Sequence, residues 1–101
     1  MTFLKNTRDR INADYAELVK EFPELLKEPE KLMETLSPEE SLALRYLYIA
    51  MPVSDMANYD CEGFMDSVKQ GVWLWKNLKS VQELPDEIYL NYVLLLRVNE
   101  E

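Results

Sequence analysis

Apolar residues recur along this chain every three or four positions, and prolines separate the stretches in which they do. Ile11, Tyr15, Leu18, Val19 and Phe22 form the first such series. Its spacing predicts a helix over about 7–21, with Asn6 or Thr7 as N-cap and Pro23 just beyond its end. Pro29 then reads as the opening of a short helix bearing Leu32, Met33 and Leu36. Ser37-Pro38-Glu39-Glu40 is a stronger start signal: serine caps, proline occupies the first turn where its missing N–H costs nothing, and Glu40 returns a capping-box bond. The helix that follows carries Leu44, Leu47 and Met51 on one stripe with Tyr48 beside it, and ends at Met51-Pro52. A loop, with a single turn suggested after Ser54, fills Pro52 to Asp60. Asp60 is expected to cap the longest helix, about 61–79, with Phe64, Val68, Val72, Trp75 and Leu78 facing the core.

The last helix opens at Leu84-Pro85-Asp86-Glu87, where both acids sit in the first turn and complement the helix dipole. From Ile88 to Val98, nine of eleven residues are apolar or aromatic, Asn91 and Arg97 excepted. A surface helix needs a polar side, so this segment expects burial on more than one side and some cover for its outer face. No stretch alternates as a strand does, and no repeat is present. The pattern predicts an all-α fold, a small bundle of four to five helices with short proline-punctuated connections, in a single domain over residues 1–101.

Composition narrows the function classes. The 101 residues are 48% hydrophobic and 30% charged, as in an ordinary folded domain. Net charge is −8, spread evenly: residues 1–40 hold 6 basic and 10 acidic side chains, residues 41–101 hold 5 and 9. With no basic patch, neither a nucleic acid nor an anionic membrane is an expected partner. No apolar run is long enough to span a bilayer. MTFLKNTRDR lacks a following apolar segment, so no signal peptide is expected, which leaves a cytoplasmic protein or a mature or trimmed one. The single cysteine, Cys61, allows no internal disulfide.

The chain has no histidine. That removes the Ser-His-Asp and Cys-His arrangements and the histidine zinc sites. Cys61 at a helix start reads as a small packed residue, with no imidazole to make it a thiolate. Two glycines cannot build a phosphate loop. Asn58, Asp60, Glu62 and Gly63 resemble the start of a calcium loop, but Lys69 stands where the closing glutamate is needed. Glu39-Glu40 and Asp86-Glu87 are each explained by the helix start they occupy. No catalytic residue, metal site or cofactor is expected.

Trp73 and Trp75 lie about 200° apart around one helix, so they cannot share a core. Trp75 belongs to the inner stripe. Trp73 falls opposite, with Met65, Lys69 and Lys76. It either lies on the lysine stems as a cation–π contact or anchors an interface.

A resemblance adds to this. Leu44-Arg45-Tyr46-Leu47-Tyr48, then Met51-Pro52-Val53-Ser54-Asp55 through Tyr59-Asp60, resembles the helical region that precedes the catalytic core in bacterial transglutaminase-like proteins. Leu84-Pro85-Asp86-Glu87-Ile88-Tyr89-Leu90-Asn91-Tyr92-Val93-Leu94 and Arg97-Val98-Asn99-Glu100 are similar to the segment that leads into that papain-like cysteine core. The likeness covers roughly residues 40–101. It departs at Leu95, where the family has proline, and at Leu96, where it has an aromatic residue. The core's cysteine, histidine and aspartate are not in this chain.

The resemblance implies a non-catalytic helical accessory domain that packs against a transglutaminase-like catalytic core in cis. The contact candidates are Trp73, Tyr92, Leu94, Leu96, Arg97 and Glu100. The alternative is a free-standing acidic helical interaction module, binding another protein or associating with itself through residues 88–98. A stand-alone enzyme is disfavoured by the missing histidine.

Overall fold

The computed structural model describes residues 4–50 and 61–99. Five α-helices make up the described chain: α1 (Lys5–Glu21), α2 (Lys27–Met33), α3 (Pro38–Ala50), α4 (Cys61–Gln82) and α5 (Asp86–Asn99), with a 3₁₀ turn at Pro23–Leu26 leading into α2. No strand occurs among the described residues, and the all-α expectation holds. Met51, the loop to Asp60 with its suggested turn, the Asp60 cap and the Phe64 side chain lie outside the described residues.

Helix α3 is the centre of the bundle and touches α1, α2, α4 and α5. Its sequence shows why. Leu42, Ala43, Leu44, Leu47 and Tyr48 are all buried, which occupies far more of its circumference than the single stripe expected. Its N-terminus carries the anticipated capping box: Glu40 N–H donates to Ser37 Oγ at 3.1 Å, and Ser37 N–H donates to Glu40 Oε1 at 3.0 Å.

Helices α4 and α5 form an antiparallel hairpin with the most extensive helix–helix contact among the described residues. The two helices come close at Gly71, where a Cβ would meet the side chain of Val93 and lie 3.2 Å from its Cα. Glycine there lets the two backbones meet. Val68, Val72 and Trp75 point inward from α4, as their spacing predicts; Tyr89, Leu90 and Val93 meet them from α5. The bundle thus supplies its own cover for the inner half of the apolar terminal helix.

Several boundaries differ from the sequence expectation. Helix α1 starts at Lys5 with Leu4 as N-cap, and neither Asn6 nor Thr7 caps it. Asn6 Oδ1 only accepts the adjacent Thr7 N–H, at 2.9 Å. The cause is distant in sequence: the carboxylate of Asp86 accepts the Leu4 N–H. Phe22 is the C-cap of α1, with φ −133°, and stands outside the buried core. Pro29 is the third residue of α2, still within the first turn where no N–H is needed. Helix α4 runs three residues further than expected. It ends at Gln82, and Glu83 follows with a φ of 50°, a non-glycine residue in the left-handed cap position whose N–H donates to Lys79 O at 2.9 Å.

Candidate interaction surface

The orientation of the α4–α5 hairpin depends on Asp86, which local sequence assigned to dipole compensation alone. That reading falls short. The Asp86 side chain is fully buried and gathers three partners. Trp75 Nε1 donates to Oδ1 at 3.0 Å, Leu4 N–H donates to Oδ2, and the Lys79 ammonium forms an ion pair with Oδ1. One carboxylate therefore ties together the start of α1, the inner face of α4 and the first turn of α5. Lys79 also lies over the Trp75 ring, 5.2 Å from its centroid. Burial pulls the Lys79 pKa below its ordinary value, and the adjacent carboxylate is what keeps a charge tolerable there. The other first-turn acid, Glu87, pairs with Arg10 of α1. Glu39, expected only to serve a helix start, also reaches Lys76 of α4 at 3.9 Å.

A second set of contacts fixes α5 against α3. Tyr46 OH donates to Asn91 Oδ1 at 2.8 Å. Burial and then the Glu87 charge raise the Tyr46 pKa, against the opposing pull of Arg10. Tyr89, almost wholly buried, is likewise raised by burial and by Tyr92, whose ring lies 5.8 Å away at a 48° tilt.

With the hairpin so held, its outward side is well defined. Five large apolar side chains are exposed among the described residues, and four of them, Trp73, Val81, Ile88 and Leu95, are on α4 and α5. Trp73 is 60% exposed and faces away from Trp75, as the 200° separation requires. The cation found over a tryptophan is Lys79 over the buried Trp75, so the lysine contact expected as one option for Trp73 occurs at its neighbour instead. Exposed Lys69 and Lys76 occupy the positions one turn either side of Trp73.

On α5, Ile88 and Leu95 lie seven residues apart on the face opposite Leu90 and Val93, with exposed Asn91 between them. Tyr92 and Leu94 are half-buried and pack against the core; Leu96 is half-buried. Arg97 belongs to the last turn of α5, but its side chain and Glu100 lie outside the described residues. Ile88 and Leu95 were missed as surface candidates. A helical wheel centred on Leu90 and Val93 would have placed both outward, whereas the density of apolar residues drew attention to the segment as a whole. No helix among the described residues is long and apolar enough to cross a membrane, and no cluster of three or more acidic or cysteine ligands suited to a metal is found among them. No family model matches the chain, and no curated protein or solved structure matches it.

Proposed function

We propose that this chain is a helical protein-binding domain whose contact surface is the outward side of the α4–α5 hairpin, with Trp73 as its anchor. The observation that carries the reading is the concentration of exposed large apolar side chains on that one hairpin, led by a tryptophan that is 60% exposed. Tryptophan is the residue type most enriched among binding hot spots, and desolvating its ring is a favourable term that the free domain leaves unused. The domain has no histidine to conduct proton transfer near neutrality, which suits binding better than catalysis. The resemblance to the helical region of transglutaminase-like proteins suggests the partner: a papain-like cysteine core, for which this domain would act as an accessory unit and form one wall. Self-association through residues 88–98 is the second reading, supported by the Ile88 and Leu95 pair on one outward face and opposed by repulsion between two copies of charge −8.

A photo-crosslinking residue placed at position 73, compared with one at exposed Lys20 on α1, tests this in the cell that makes the protein. The expected result is a discrete protein adduct from position 73 and none from position 20. A partner holding a cysteine–histidine–aspartate core supports the accessory role, and an adduct with a second copy supports self-association. Identical adducts from both positions, or none from either, overturn the assignment of this surface.

A further inference from the structure

Helices α1 and α2 both pack on α3, and between them opens a groove of about 430 Å³. Asn12 and Tyr15 of α1, Glu30 and Met33 of α2, Glu34 just after α2, and Arg45 of α3 line it. None of these residues belongs to the binding surface above.

Arg45 is its informative residue. Its Nη1 donates to Asn12 Oδ1 at 2.7 Å, and its guanidinium lies over the Tyr15 ring, 5.8 Å from the centroid. Both contacts come from α1 and are to neutral groups. Among the described residues no carboxylate lies within ion-pair distance of it; the ion pairs formed are Arg10–Glu87, Lys27–Glu24, Lys76–Glu39 and Lys79–Asp86. This is unexpected in a chain with 19 acidic and 11 basic residues. A guanidinium offers five donors in a planar fork that matches a carboxylate. Held by a ring and an amide, that fork is already oriented, so less freedom is lost when a ligand meets it.

The same groove rejects a simple anion. Glu30 of α2 and Glu34, the first residue of the turn that follows α2, both line this groove. Their charges repel a lone carboxylate and attract an ammonium group, while Tyr15 and Met33 add apolar surface to the same groove. We propose that this groove binds a small zwitterion, an ammonium and a carboxylate on one apolar skeleton, with Arg45 receiving the carboxylate and Glu30 and Glu34 the ammonium. A free amino acid and a short peptide share this chemistry, and the groove volume falls within the usual range for small-molecule sites, roughly 300–1,000 Å³.

The test is a titration of the isotope-labelled full chain with four probes, following the Arg45 side-chain resonances: leucine, leucyl-leucine, N-acetyl-leucine and leucine amide. At least one of the two zwitterions is expected to bind saturably, about tenfold or more tighter than either half-blocked compound. Which of the two does so separates an amino acid from a peptide. Arg45→Gln is expected to weaken the zwitterion about tenfold, and Glu30→Gln with Glu34→Gln to weaken it while improving N-acetyl-leucine. Both sets of variants are checked for helicity, and the comparison of probes on the unaltered chain stands without them. Failure of both zwitterions to saturate below about 10 mM overturns the proposal. So does N-acetyl-leucine binding as tightly as the tighter of the two zwitterions, or a folded Arg45→Gln variant binding that zwitterion undiminished.

Discussion

Replacing Asp86 with alanine is expected to be the most damaging single change outside the apolar core. The carboxylate is buried and serves the Trp75 indole, the Leu4 amide and the Lys79 ammonium at once. Alanine leaves all three without their acceptor. Removing one partner of a buried ion pair costs about 3–5 kcal/mol, because the other charge is stranded. Lys79 keeps 12% of its side chain exposed and can shift its ammonium toward water, which favours the lower part of that range. A domain of this size is stable by only about 5–15 kcal/mol, so the variant loses a large share of its margin. The corresponding fall in Tm is about 15–30 °C. Urea titrations followed by circular dichroism and by tryptophan fluorescence measure the loss directly. The companion experiment isolates the stranded charge: Asp86→Asn combined with Lys79→Met is expected to be more stable than Asp86→Asn alone by about 1 kcal/mol or more. A loss below about 1 kcal/mol for Asp86→Ala, at unchanged denaturant dependence, would falsify the view that this carboxylate holds the three helices together.

Three other expectations are simpler. Gly71→Ala puts a methyl group against the backbone and side chain of buried Val93; it is expected to destabilise by about 1–3 kcal/mol, whereas helix propensity alone would stabilise by about 1 kcal/mol, so the sign in a urea melt decides which effect wins. Ser37→Ala removes the capping-box acceptor of α3 and is expected to cost about 0.5–2 kcal/mol, read as a lower urea midpoint. For pH, the folded Tyr46 pKa is raised above its unfolded value near 10, so its contribution is complete below pH 10 and is lost as the pH climbs through the folded pKa. Wild type is therefore expected to exceed Tyr46→Phe by about 1 kcal/mol at neutral pH through the Asn91 bond, with the gap closing above pH 10; a gap that stays constant in alkaline melts refutes this.

The sequence by itself determined the helical class and most helix positions, because those follow from short-range physics. The 3.6-residue period placed Ile11, Tyr15, Val68, Val72 and Trp75 inside, and the Ser37–Glu40 box, written in four consecutive residues, formed as expected. The same period separated Trp73 from Trp75. Tertiary structure decided whatever depends on residues far apart in the chain. The start of α1 was set by a carboxylate 82 positions away, which no local capping rule detects. Asp86 looked like any acid in a first turn until the fold buried it beside Lys79 and Trp75. Burial of α3 on nearly all sides followed from four other helices packing around it, and so did the outward placement of Ile88 and Leu95 once α4 and α3 had claimed the rest of α5. The groove beside Arg45 has the same origin: its six named residues come from three helices and the turn after α2, and only the way α1 and α2 lean on α3 brings the guanidinium and two carboxylates to one opening.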